Sequence, residues 1–403
     1  MAPSPQTDPT ALTALREAWV AALEEGLPAA QQVRERVHAD PHLSGDEEPT
    51  ATLLAEAMEL DLERIAGTGR IGRLGPDGPA VMLRAEMDAL PLTEQTGAPF
   101  AATTGAMHAC GHDVHMAALV AVVRAARTLE ADLPVGLVPL LQPREESYPF
   151  GAVDVTASGR LEEHRVGVAV GAHVHAGVPL GEVAIGAGVV NAAADSFVVR
   201  FRGTGGHGAY PHLGQDVMAA VATTALGLQE VVRRTVDPMR PCVLTVGHLS
   251  AGPEADNVLP ETGRILGTLR TVDADDRAAV QEAIETLATR TAEAHGVVAE
   301  VEQTPAMPVL ANDEALVGHM TPWLEELGVP VAAPMRSMGA DDFSFYSDRL
   351  PAVMAFVGTR REGEDGVVGL HDARFLPPAE LVGTVARVMV SGYLAGAQVL
   401  SDG

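Results

Sequence analysis

The chain has 403 residues, 47% of them hydrophobic and 20% charged, which is ample apolar material for a packed core and excludes intrinsic disorder. Lys plus Arg total 27 against 54 Asp plus Glu, and the net charge of −27 repels phosphate backbones and anionic lipid, so neither nucleic acid nor membrane is expected as a partner. All 27 basic residues are arginine, and the lack of lysine excludes a Walker P-loop, a pyridoxal Schiff base and a class I aldolase mechanism.

Up to about Pro9 the chain reads as a frayed tail, and from Ala11 to about Ala39 its apolar spacing is helical. VMLRAEMDAL (81–90) reads as a buried strand and HMAALVAVVRAARTLE (115–130) as a helix. PVGLVPLLQP (134–143) and VGVAVGAHVH (166–175) read as two further strands. This alternation predicts an α/β fold with a mainly parallel sheet. Around residues 186–192 the texture changes. DSFVVRFRGTGGHGAY (195–210) alternates with period two, putting Phe197, Val199 and Phe201 on one face, and ends in a Gly-rich turn. A helix (216–236), two strands (242–252 and 264–272), a second helix (275–295) and a last strand (297–303) then suggest an α+β sandwich with antiparallel pairing. The predicted organisation is a catalytic domain over 10–188, an inserted α+β sandwich over 189–303, and a return to the first domain over 304–403.

Two cysteines, Cys110 and Cys242, do not make a disulfide framework and point to a reducing compartment. The opening MAPSPQTDPT has no basic n-region, and no apolar run approaches the ~18 residues that span a bilayer. A cytoplasmic location is expected.

Four stretches carry chemistry. MHACGHDVHMA holds His108, Cys110, His112 and His115, and the single glycine between Cys110 and His112 lets a thiolate and an imidazole converge, a pairing that suits zinc or a similar divalent ion. A Cys–His protease dyad normally draws its base from far away in sequence. His115, on an apolar helical face, fits a structural role equally well. In LQPREESYPF, Glu145 and Glu146 follow an apolar strand, so one carboxylate can bind a metal while the other accepts a proton from water. Alone, such a pair more often marks a solvated loop. His173 and His175 alternate in GAHVHAG, and His371 precedes Asp372 in GLHDARF. All four stretches fall at strand ends, where open α/β sheets build their sites.

Taken in order, RAEMDALP, MHACGHDVH, QPREE, GAHVHAG, GGHGAYPH, NVLP and GLHDARF resemble the M20 metallopeptidase family. The resemblance runs from about residue 38 to the C-terminal HDARF and is nearest to the amidohydrolase branch, which includes N-acyl-amino-acid, hippurate and auxin-conjugate hydrolases. It implies two divalent ions per subunit (zinc, manganese, cobalt or nickel), with Cys110, His112, Glu146, His173 and His371 at the ligand positions and Glu145 at the general-base position. It also implies that the inserted domain is a lid that forms a homodimer. His207 would reach into the partner subunit's site to steady an oxyanion, and Asn257 would contact substrate. The expected substrate is a small N-acyl amino acid or conjugate. A dipeptidase or carboxypeptidase of the same fold, or a silent binding homologue, is the alternative.

Tyr148 and Phe150, with Phe343, Phe345 and Tyr346, are expected to line an acyl pocket and to favour bulky acyl groups. Three residues depart from the branch pattern. Glu86 stands where Asp is usual, Arg144 puts a cation next to the two glutamates, and Asp341 replaces a usual Glu.

Overall fold

The computed structural model describes residues 9–361 and 368–402. Helix α1 (Pro9–Ala39) buries Leu12, Leu15, Trp19 and Leu23, the three- and four-residue spacing of one helical stripe. Trp19 meets Tyr393 edge-on at 5.0 Å between ring centroids. Helix α2 (Glu48–Met58) follows, and then the strands β1 (Glu63–Ile65), β2 (Gly69–Ile71) and β3 (Ala80–Glu86). Helix α3 (His112–Thr128) leads to β4 (Gly136–Gln142), β5 (Val166–Pro179) and β6 (Val183–Ala184).

With the strands Val331–Ala332 and Ala352–Arg360 these form an eight-stranded sheet, in the order β1, β2, β4, β3, β5, Ala352–Arg360, β6, Val331–Ala332. Its centre is parallel, as the alternation predicts: β3 pairs in parallel with β4 and with β5, and β5 with Ala352–Arg360. β3 and β4 are buried at every residue, as strands covered on both faces must be. β1 and β2 add an antiparallel edge.

Two of the boundaries that differ from the sequence pattern are set by local contacts. β3 ends at Glu86 rather than running to Leu90, because Asp88 leaves the ladder and gives its carboxylate to the backbone after β4. α3 starts at His112, three residues before the expected His115, because Gly111 sits at φ 84° and caps the helix. A Cβ at Gly111 would lie 2.4 Å from Val174 Cγ2, so this position has no room for a side chain.

The chain divides into two compact units. Of the described residues, one unit holds those up to Val190, Ala311–Met335 and those from Phe345 onward; the other holds Asn191–Leu310 and Arg336–Ser344. In the second unit the strands Cys242–Ala251, Thr262–Thr271, Ala193–Arg202 and Val298–Met307 form an antiparallel sheet in that order. The helices Val217–Thr235 and Ala274–Ala294 are capped by the side chains of Asp216 and Asp273. Phe197, Val199 and Phe201 point into the core together, against Leu228, Ile265 and Ile284. Among the described residues no helix is long and apolar enough to cross a membrane.

Candidate metal centre

The parallel strands deliver the polar residues of the first unit to one place. Asp88 follows β3, Cys110 and His112 open α3, Glu145 and Glu146 follow β4, and His173 lies within β5. Asp88 ties three of these segments together. Its Oδ1 accepts the Glu145 N–H at 3.1 Å and its Oδ2 the Glu146 N–H at 2.9 Å, while Ser44 Oγ donates to Oδ2 at 2.6 Å. The Asp88 carbonyl lies 2.8 Å from His112 Nδ1. A carbonyl only accepts, so the ring proton sits on Nδ1 and Nε2 presents a bare lone pair.

That lone pair faces the two glutamates, 3.9 Å from Glu145 Oε2 and 4.0 Å from Glu146 Oε1. His173 repeats the device: its Nδ1 lies 2.7 Å from the Val174 carbonyl, and its Nε2 3.6 Å from Cys110 Sγ. His371, at φ 66° with its N–H on the Ala109 carbonyl, brings Nε2 to 3.4 Å from Glu146 Oε1. Cys110, His112 and Glu146 each place a ligand atom within 4.8 Å of the others.

Among the described residues His112 Nε2 is buried and makes no hydrogen bond, and Glu146 Oε1, equally buried, has His371 Nε2 at 3.4 Å. A buried polar atom left unsatisfied costs about 1–3 kcal/mol, and a divalent cation bound between these atoms would satisfy both. The sulfur, nitrogen and oxygen donors suit such an ion. Protonation states agree. Burial pushes His112 down to about 3, which keeps it a neutral ligand. Burial would raise Glu146, but the hydrogen bond from His371 and the neighbouring His112 and His371 outweigh it and hold the carboxyl at about 2.

Glu145 is buried beside these donors. Arg144 does not bring its charge to the carboxylates: its guanidinium is bonded to the Pro149 carbonyl at 2.9 Å, the Ala66 carbonyl at 3.2 Å and Asp154. Its backbone N–H donates to Oε1 of the fully buried Glu47 at 2.9 Å, and Glu47 Oε2 accepts the Thr68 hydroxyl at 2.6 Å. Tyr148 is 73% exposed, whereas Phe150 is buried. Phe343 and Tyr346 are fully buried, and the Tyr346 hydroxyl donates to Gln142 Oε1 at 2.8 Å, so these two rings pack the interior rather than a pocket wall.

In the second unit, His207 lies exposed on the short strand Gly206–His207, paired with Val258–Leu259. Its Nδ1 accepts the Ala209 N–H at 3.1 Å, which leaves the proton on Nε2 as an outward donor. The Gly208 N–H donates to the Asn257 carbonyl at 2.7 Å, so the segments carrying His207 and Asn257 run side by side. Asp341, also in this unit, accepts the Phe343 N–H at 2.8 Å.

The sequence profile of peptidase family M20/M25/M40 matches residues 82–391. The chain belongs to this family. It is 33% identical over 334 residues to the N-acetyl-L-cysteine deacetylase of Bacillus subtilis (strain 168), a match covering 81% of this chain and 79% of the relative. It is 30% identical over 377 residues to the N-acetyldiaminopimelate deacetylase of Halalkalibacterium halodurans, covering 91% and 99%. Among solved structures, the Bacillus subtilis YXEP protein, described as a dinuclear metal-binding peptidase from the M20 family, matches with a TM-score of 0.79 at 26% identity, covering 94% of this chain and 99% of that one. This M20 chain thus carries the motifs from RAEMDALP to GLHDARF within a fold shared with that protein.

Two residues that organise the site, Asp88 and Glu47, were not singled out from the sequence. Asp88 stands inside RAEMDALP, where the departure from the branch pattern falls on Glu86. Glu47 sits in an unremarkable acidic stretch, and only the fold shows its burial.

Proposed function

We propose that this M20 chain is an amidohydrolase that uses two divalent ions to cleave the amide of small N-acyl amino acids. One observation carries the reading: the bare lone pair of the buried His112 Nε2 lies 3.9 Å from Glu145 Oε2 and 4.0 Å from Glu146 Oε1, so an imidazole and two carboxylates converge away from water. A divalent pair held by these residues would supply Lewis acidity to a bound water and to the acyl carbonyl. Glu145 then takes the proton of the attacking water and passes it to the leaving amine. Asp88 fixes the peptides of Glu145 and Glu146 together, so base and ligand keep a constant separation. Cys110, His112, Glu146, His173 and His371 are the ligands in this reading.

A short acyl group is favoured over the bulky one anticipated from the aromatic residues. Tyr346 and Phe343 are spent on the core, and both curated relatives cited are named for N-acetyl substrates. Tyr148 and Phe150 remain the ring candidates nearest in sequence to the glutamates.

His207, with its outward Nε2–H, is assigned the oxyanion-donor role at the partner subunit's site, and Asn257, on the neighbouring paired segment, contacts substrate. A second copy is supported by the second unit's own surface. Met218 and Leu226 on Val217–Thr235 are exposed, as are Val243 and Leu249 on Cys242–Ala251, an edge strand with an unpaired side. Two free cysteines suit a reducing compartment, and the reaction is assigned to the cytoplasm.

The test is amine release from N-acetyl amino acids by the wild type and by Glu145→Ala. The variant should lose about 10²–10⁴ in kcat while keeping its metal content. A variant that retains more than about a tenth of wild-type kcat would remove Glu145 from the general-base role.

A further inference from the structure

A second cluster lies beside the metal centre, and its wiring shows that it serves a different purpose. Glu86, His112, His115 and His173 each place a ligand atom within 4.8 Å of the others, which by proximity alone would make another metal site. The hydrogen bonds decide against that. His115 Nε2 accepts the Val174 N–H at 2.9 Å, and its Nδ1 lies 3.0 Å from Glu86 Oε2. Both ring nitrogens are therefore engaged, with the proton on Nδ1. Glu86 in turn is ion-paired with the buried Arg84, and Arg84 Nε donates to Gln142 Oε1 at 3.0 Å. A guanidinium against this carboxylate makes it a poor place for a cation.

The register explains why the ring is needed. β3 pairs with β5 only as far as Arg84↔Gly171, three residues short of Val174. The buried Val174 N–H needs an acceptor beyond the end of that ladder, and His115 supplies it. The next link reaches the centre. The carbonyl of the same Val174 receives the His173 Nδ1–H, which leaves His173 Nε2 without a proton and as the acceptor facing Cys110 Sγ. The His115 and His173 rings also touch edge-on, at 4.6 Å between centroids.

We infer that His115, oriented by Glu86, is a positioning residue for His173: it holds the Val174 backbone that sets the tautomer and aim of that ligand. The inference rests on the metal reading above and extends it to two residues that touch no metal. It also gives the Glu86 departure a use, since the side chain meets Arg84 and His115 at once.

Cobalt binding tests this without using turnover. Metal-free wild type, His115→Leu and His115→Gln are titrated with Co(II), following the visible bands of the bound ion, and the melting temperature of each metal-free protein is recorded. Leu removes the acceptor for Val174 and the donor for Glu86. Gln can restore both with its amide. For His115→Leu, one of the two binding steps should weaken by roughly 10–100-fold, as when hydrogen-bond partners of ligands are lost elsewhere, and the other should hold. His115→Gln should stay within about threefold of wild type.

Equal cobalt affinities in wild type and a well-folded His115→Leu would overturn the inference alone. So would a His115→Gln variant that loses tenfold or more, which remains decisive even if the Leu variant does not fold. A wild type that takes up no cobalt would overturn the metal reading itself, and this inference with it.

Discussion

Asp88 does the most at the scale of single residues, because one side chain and its carbonyl govern three others. Its two oxygens hold the peptides of Glu145 and Glu146, and its carbonyl sets the His112 tautomer. Asp88→Asn turns an N–H₂ toward one of the two peptide N–H groups, so a hydrogen bond is lost while the His112 contact is kept. We expect kcat/KM for an N-acetyl amino acid to fall by roughly 10–100-fold, with metal content reduced less. Unchanged kcat/KM would show that the backbone after β4 needs no such clamp. The two thiols give a second expectation. Cys110 should react faster with thiol reagents once the protein is stripped of metal, whereas Cys242, its thiol pushed up to about 11 by burial, should react slowly with or without metal. Equal Cys110 reactivity in both states would deny it a ligand role. These residues were unequally legible in the sequence. Cys110 and His112 announce themselves through a one-residue spacing, but Asp88 works on peptides 57 and 58 positions away, a relation no local pattern records. His115 was readable as structural, though its link to His173 exists only where β5 outruns β3.

Between elements, a buried charge network docks α1 against the start of α3. Arg34 Nε reaches Asp113 Oδ2 at 2.8 Å, and His38 bridges Asp113 at 3.0 Å and Glu94 at 3.1 Å. Burial would lower the His38 pKa, but the hydrogen bond and charge of Asp113, and then those of Glu94, outweigh it and raise the value. A raised folded-state pKa stabilises the fold fully below the unfolded value of about 6.5, and that contribution fades as pH rises through the folded value. The melting temperature of the wild type should therefore exceed that of His38→Gln most at acidic pH, and the gap should shrink above about pH 6.5. A gap that widens with rising pH would contradict a charged His38. At the α3 start, Gly111→Ala should cost about 1–2 kcal/mol for the left-handed backbone, and more for the contact with Val174 Cγ2, measured by denaturant unfolding. Wild-type stability would show that the turn relaxes freely. The elements themselves were largely visible in the sequence, because β3, β4 and β5 are mostly apolar and the Phe197–Phe201 stretch alternates. Their ends were not, because Gly111 and Asp88 set them through tertiary contacts.

At the scale of the whole molecule, two copies are needed if His207 serves a partner's site. Mixing inactive His207→Ala with inactive Glu145→Ala under conditions of demonstrated subunit exchange should recover part of the activity, since some hybrid sites then hold both residues. Exchange without recovery would remove His207 from the partner subunit's catalysis. That the buried donors around Cys110, His112 and Glu146 hold ions that drive amide hydrolysis can be checked by amine release from N-acetyl amino acids after the protein is stripped of metal and then titrated with zinc, manganese, cobalt or nickel. The stripped protein should release no amine, and the rate should rise and saturate near two equivalents of at least one of these ions. Turnover by the stripped protein equal to that of the loaded one, or none with any of the four ions, would contradict it.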